Sequence, residues 1–162
     1  MMKKVFLMLG SNLGDKNQHI NNAKTEIEKR SGSIVQASSI YKTEPWGFEH
    51  PEYFLNQAII VQTSLTPYEL LREIGNIEST LGRKHTQNGY EARIIDIDIL
   101  LYNRLVLHDE NLTIPHPLIR ERRFVLAPLA EIAGEILHPV FKKTITRLLA
   151  ECKDNSKVIR MD

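Results

Sequence analysis

The chain has 162 residues, with 21 Lys+Arg against 20 Asp+Glu, a formal net charge of +1 at pH 7, 42% hydrophobic and 25% charged residues. That balance belongs to an ordinary globular domain able to bury a core, and it excludes a disordered polymer and any general drive toward nucleic acid or anionic membrane. No apolar run approaches the ~20 residues that span a bilayer, and a single cysteine, Cys152, excludes an internal disulfide and fits a reducing cytosol.

The start, MMKKVFLMLGSN, holds an apolar stretch shorter than the ~7–15 residues of a secretory segment. Residues 3–9 read instead as a first strand. Asp15 caps a helix over 16–31, with Ile20, Ala23 and Ile27 on one face and Gly32 past its end. Between them, Gly10–Ser11–Asn12–Leu13–Gly14–Asp15 lacks the lysine of a phosphate-binding GxxxxGK[ST] loop, and its glycines read as turn glycines. Residues 33–41 form a second strand, followed by a loop, TEPWGFEHPE, broken by Pro45, Gly47 and Pro51. A third strand covers 53–63, with Phe54, Asn56 and Ala58 on one face.

Thr66–Pro67–Tyr68–Glu69 is a capping box with Pro at the first helical position. Its helix carries Leu70, Leu71, Ile74, Ile77 and Leu81 along one stripe and stops at Gly82. A polar loop over 83–92 leads into a strand at 93–102, RIIDIDILLY. A turn at Asn103–Arg104 predicts a hairpin back to Leu105–Leu107. Beyond lie IPHP, a short apolar helix near 124–133, and a last helix from Thr144, which Cys152 fills out. With no repeat or linker, residues 1–162 read as a single domain. The first six elements run β-α-β-β-α-β, which predicts an α+β, ferredoxin-like core: an antiparallel sheet with both helices on one face. The other face is left for a ligand or for the C-terminal elements. Fold alone names no function.

Chemistry concentrates in the strand at 93–102. Alternation puts Ile95, Ile97 and Ile99 on one face, and Ile94, Asp96, Asp98 and Leu100 on the other. The two carboxylates therefore point the same way, with Cα atoms ~7 Å apart. Ile94 and Leu100 make that face apolar on either side, and no Lys or Arg within the strand neutralises the acids. A cation from outside answers the cost of two like charges there. Mg²⁺ suits it, being commonly held by one or two carboxylates plus substrate phosphates. The alternative is a solvated polar strand face. Arg83 and Arg93 bracket the preceding loop, Arg122 lies in a second basic cluster, and His116 sits in a rigid Pro-His-Pro turn. These residues suit a small anionic ligand such as a phosphate, the alternatives being solvated surface charges and a structural histidine. Phe54 beside Asn56 would stack a flat heterocycle and read its edge, the alternative being ordinary strand packing.

Several segments together resemble the 6-hydroxymethyl-7,8-dihydropterin pyrophosphokinase family. They are LGSNLGD (9–15), YKTEPWG (41–47), FLNQA (54–58), GR at 82–83, RIIDIDILLY (93–102) and IPHPLIRERRFVLAPLAEIA (114–133). The resemblance implies an ATP- and Mg²⁺-dependent transfer of pyrophosphate to the pterin hydroxymethyl oxygen, leaving AMP, in folate biosynthesis. It implies that Asp96 and Asp98 hold two Mg²⁺ ions and that Arg83 and Arg93 contact the moving phosphates. His116 and Arg122 would support ATP, Glu78 would lie near the nucleotide, and Ile99, Leu112 and Thr113 would line the adenine pocket. Phe54 and Phe124 would sandwich the pterin, with Asn56, Thr43 and the Glu44–Trp46 backbone reading its edge. One loop departs from the family. Where members usually carry Arg-Trp-Gly-Pro-Arg, this chain has Gly89–Tyr90–Glu91–Ala92–Arg93, and His85 stands at a usually basic position.

The expected protein is thus a cytoplasmic, monomeric transferase with no nucleic-acid or membrane partner. Two rivals stay open. One is a Mg²⁺-dependent phosphotransferase attacking the γ-phosphorus. The other is a non-catalytic ferredoxin-like ligand- or RNA-binding module, whose usual basic sheet is absent here.

Overall fold

Strand β1 (Lys3–Ser11) is apolar on both faces, and much of the fold follows from that. Val5, Leu7 and Leu9 enter one core, while Phe6 and Met8 enter another. A strand buried on both sides must lie inside a sheet layered on each face. The structure, a computed structural model, describes residues 1–44, 52–82 and 94–161.

Strands β4 (Phe54–Thr63) and β5 (Asp96–Tyr102) flank β1, both antiparallel to it. Strands β2 (Ser33–Ala37) and β3 (Ile40–Thr43) pair in succession with the far edge of β4, and β8 (Val158–Met161) adds to β3. The spatial order is β5-β1-β4-β3-β8, with β2 on β4 as well. Counting β2 and β3 as one interrupted strand, this is the expected ferredoxin-like arrangement.

Helices α1 (Lys16–Arg30) and α2 (Pro67–Thr80) cover one face, burying Ile20, Ala23 and Ile27 from the first and Leu70, Ile74 and Ile77 from the second. Their starts are those expected. Asp15 accepts the Gln18 N–H, and Thr66 and Glu69 exchange both bonds of the capping box. The opposite face is covered by α3 (Arg123–Ala133) and α4 (Ile145–Glu151), through Val125, Leu126, Leu129, Ile145 and Leu148. Their cover is not even. Phe6 and Met8 are buried beneath it, whereas Phe54, Asp96 and Asp98, farther along the same face, are half-exposed. Cys152 caps α4 and packs, partly buried, against this second core.

Three expectations need correction. The strand expected over 33–41 breaks at Ser38, whose N–H bonds Ala58 O at 2.8 Å while its hydroxyl accepts the Ala58 N–H at 3.0 Å. The Gln57 amide also donates to Ser38 O at 2.6 Å, so side-chain bonds interrupt the ladder where alternation alone would continue it. The expected hairpin from β5 to Leu105–Leu107 does not form. Asn103, at φ 47°, is bonded to β1 through its own N–H to Lys4 O and through its side chain from Lys4 N, each at 2.8 Å. The chain then leaves the sheet, and β6 (Leu107–His108) pairs instead with β7 (Thr113–Ile114). Finally, Gly10 lies within β1 and is not a turn glycine, although Gly14, at φ 65°, is one.

His138 is buried at 2% exposure, and its Nδ1 accepts the N–H groups of Val140 and Phe141, each at 3.2 Å. Burial, aided by the Arg120 cation, pushes its pKa down from 6.5 to about 4. The unfolded chain therefore takes up this proton first, so the neutral ring stabilises the fold above about pH 6.5 and loses that contribution as pH falls toward 4. The loss is expected to reach roughly 2–3 kcal/mol. Denaturant unfolding at pH 7 and pH 4.5 checks it. His138→Asn, which keeps an acceptor at the Nδ1 position but cannot titrate, should show a clearly smaller drop than the wild type.

Candidate active site

The site is built where β1, β4 and β5 run past the cover of α3. Across these strands Asn56, Gly10 and Asp96 stand in one register row, and Ala58, Met8 and Asp98 in the next. Directly opposed residues share a face, so both carboxylates and Asn56 project together. The acids thus share the face expected from their spacing, although among the described residues β5 begins at Asp96, with Ile94 and Ile95 ahead of it. Past them, the β1 register shifts between Phe6 and Leu7, and Leu100 is the extra residue, so Leu100 and Leu101 both enter the second core.

Gly10 makes this row possible. A Cβ there would stand 2.6 Å from Asn56 Oδ1 and 3.8 Å from Phe54 Cδ2. The amide can lie close over the strand only because position 10 is bare. Asn56 is buried at 3% and donates its Nδ2–H to Thr43 Oγ1 at 2.6 Å, so the other end of the amide, Oδ1, is the end turned toward Gly10. Thr43 is itself opposite Phe54, and Glu44 follows it, exposed. Phe124 enters the same face from the first turn of α3, where the Arg122 guanidinium stands 5.6 Å from its ring centroid.

On the outer side of β5 a cleft of about 290 Å³ is lined by Leu71 and Ile74 from α2, Ile97, Asp98 and Ile99 from β5, and Glu110, Asn111, Leu112, Thr113, His116 and Pro117. Asp98 is the residue shared between the cleft and the sheet face. Glu78, buried at 7%, accepts the Ile97 N–H at 2.8 Å, so its carboxylate fixes the strand between the two acids. His116 is tied to the same strand by its own N–H, which donates to Leu100 O at 3.0 Å. Its Nδ1 accepts the Leu118 N–H at 3.1 Å, which leaves the ring proton on Nε2. Burial, then the Arg122 cation, pushes the His116 pKa down from 6.5 to about 4, against the opposing pull of Asp96. At neutral pH this ring is a neutral Nε2–H donor.

The structure therefore brings together Asp96, Asp98, Ile99, Leu112, Thr113 and His116 along one edge, and Thr43, Phe54, Asn56 and Phe124 on the adjoining face. Arg83, Arg93 and Trp46 lie outside the described residues, as do Tyr90 and His85. Spacing alone did not reveal Leu71, Ile74, Glu110 and Asn111 in the cleft, nor the role of Gly10. The one available signal was a glycine ending an apolar run just before Ser11–Asn12.

Among the described residues, no group of three or more His, Cys, Asp or Glu side chains is placed to hold an ion. A closed protein cage is therefore absent among them, while two same-face carboxylates match an ion that completes its shell with water and phosphate oxygens. No helix among the described residues is long and apolar enough to cross a membrane.

The fold is thus a ferredoxin-like α+β scaffold that carries paired acids, a neutral His donor and an adjoining cleft at one sheet edge. The family model for 7,8-dihydro-6-hydroxymethylpterin-pyrophosphokinase matches residues 6–134, and the chain belongs to that family. It is 39% identical over 162 residues to the 2-amino-4-hydroxy-6-hydroxymethyldihydropteridine pyrophosphokinase of Methylorubrum extorquens, covering 99% of this chain and 100% of the relative. The Bacillus subtilis enzyme of the same name is 42% identical over 132 residues, covering 81% of this chain and 78% of that protein. The folic acid synthesis protein FOL1 of Dictyostelium discoideum is 43% identical over 145 residues, but this chain, matched over 89% of its length, spans only 22% of it. A crystal structure of Plasmodium falciparum HPPK-DHPS shares the fold with a TM-score of 0.79 at 19% identity, covering 93% of this chain and 45% of that one.

Proposed function

We propose a division of labour among these residues for the reaction that family membership supports. The chain is an enzyme that transfers the pyrophosphoryl group of ATP to the hydroxymethyl group of 6-hydroxymethyl-7,8-dihydropterin, in folate synthesis. The observation that carries the assignment is the row Asn56–Gly10–Asp96. Three adjacent strands span only about 10 Å. An amide that reads a heterocycle edge and a carboxylate that meets a triphosphate are thus held one small molecule apart, on rigid backbone.

Pterin binds against Phe54 and Phe124, with Asn56 and Thr43, and the Glu44–Trp46 backbone, reading its polar edge. Adenine enters the cleft beside Ile99, Leu112 and Thr113. His116 donates its Nε2–H to a phosphate oxygen, and Arg122 adds positive charge behind it. Glu78 acts at one remove, holding Ile97 and so the aim of both acids. Asp96 and Asp98 would hold Mg²⁺, two ions by our reading. When bound, Mg²⁺ supplies neutralisation of the charge that shifts along the triphosphate. Arg83 and Arg93 are assigned the phosphates being transferred, through the likeness of their motifs. Positioning and charge carry such a reaction, since it asks little covalent chemistry of the protein. We further read residues 1–162 as one catalytic unit, acting as a cytoplasmic monomer without nucleic-acid or membrane partners.

Phosphorus NMR of enzyme, ATP, Mg²⁺ and hydroxymethyl-dihydropterin tests this directly. AMP and a pterin diphosphate doublet pair are expected; ADP with a pterin monophosphate would overturn it.

A further inference from the structure

We infer that Glu131 is a positioning residue for the pterin pocket, acting through Tyr41 and strand β3; the inference rests on the reading of Thr43 and Asn56 as pterin-contacting groups. Glu131 lies on α3, two turns beyond Phe124. Its Oε1 accepts the Tyr41 hydroxyl at 2.7 Å, and its Oε2 accepts the Ser39 N–H at 3.0 Å and the Ser39 hydroxyl at 3.4 Å. Arg160 of β8 closes the cluster, with its Nε on Ser39 Oγ at 3.0 Å and its guanidinium 3.8 Å from Glu131 Oε2.

The register gives this cluster its meaning. Tyr41 stands opposite Asn56, and Thr43 stands opposite Phe54 while bonding the Asn56 amide. Strand β3 has only four residues and starts at the break after Ser38, so its start depends on what holds that break. Ser39 lies in that break, and the carboxylate takes up its N–H. Bonds to a carboxylate are about twice as strong as neutral ones, so this one side chain anchors the start of β3 firmly. Helix α3 then touches the pocket twice: directly with Phe124, and through Glu131 and Tyr41 at its other end. The outer edge of β3 is closed by β8, which lies beyond the residues 6–134 that the family model matches.

Steady-state kinetics of the full chain test the inference with Glu131→Ala, Glu131→Gln and Tyr41→Phe. Glu131→Ala should raise KM for the pterin roughly tenfold and leave KM for ATP within about twofold. Glu131→Gln, which keeps one oxygen for the Tyr41 hydroxyl, should recover part of that loss. Tyr41→Phe removes one hydroxyl and no volume of ring, so it serves where the alanine variant fails to fold; a severalfold rise in pterin KM alone is expected. Equal rises in both KM values, or an unmoved pterin KM in folded Tyr41→Phe, overturn the role of Glu131 while wild-type AMP formation stands. Absence of AMP formation by the wild type overturns the pterin reading itself, and this inference with it.

Discussion

Replacing both Asp96 and Asp98 by asparagine is expected to lower turnover by roughly three orders of magnitude, while pterin binding in the absence of nucleotide stays close to wild type. Asparagine keeps the shape of each side chain and removes its charge, so the loss falls on whatever meets that charge. Removing a single preorganised electrostatic partner of a transition state commonly costs about 10²–10³ in rate. Here two partners go at once, and with them the ligands proposed for Mg²⁺. Both side chains are half-exposed, so the thermal melt separates lost chemistry from lost fold. The contrast between the two substrates is the sharper measure. Pterin affinity, followed by its fluorescence without ATP, should be preserved because Asn56, Thr43 and Phe54 are untouched. AMP formation retained at near wild-type rate in the folded double variant would remove the metal platform from the mechanism.

The second large effect is expected from the smallest possible change, Gly10→Ala. The added methyl would stand 2.6 Å from Asn56 Oδ1. Strand β1 is paired on both sides at this point, to Asn56 and to Asp96, so the backbone has no room to retreat. The Asn56 amide must turn instead, leaving its bond to Thr43 and its aim at the ligand. Loss of one buried hydrogen-bonding group commonly costs about 1–3 kcal/mol, which predicts a rise in pterin KM of roughly 10- to 100-fold. ATP should be affected far less, because the cleft proposed for it lies on the outer side of β5. Kinetics with each substrate varied in turn decide the matter. An unchanged pterin KM in the alanine variant would show that Asn56 does not read the substrate from this position.

These predictions differ in how much of their basis was legible in the chain. The shared face of Asp96 and Asp98 needed only the two-residue period of a strand. The starts of α1 and α2 were likewise local, since Asp15 and the Thr66–Glu69 pair satisfy N–H groups within three residues of themselves. The βαββαβ order, and the helices that pack on one side of it, followed from apolar stripes of the same local kind. The motifs that resemble the pyrophosphokinase family named the remaining candidate site residues without placing them.

What local period could not carry were the partners that lie far along the chain. Glu78 bonds Ile97 across 19 residues, and Tyr41 reaches Glu131 across 90. The break at Ser38 arises because Ala58 and Gln57 bond it from another strand, and Asn103 is drawn away from the expected hairpin by Lys4, 99 residues earlier. Strand β8 is four residues, three of them exposed, held extended along the edge of β3. Gly10 belongs to the same group: its place at the end of an apolar run before Ser11–Asn12 fits a turn glycine as well as one that must stay bare beneath Asn56. The sequence by itself determined the main helices and strands of the core, the faces that α1 and α2 bury and that two acids share one strand face, because hydrogen bonds and side-chain period act over a few residues. Only the tertiary structure decided that an amide, a bare glycine and a carboxylate stand in one row, because register between strands is settled by how whole faces pack.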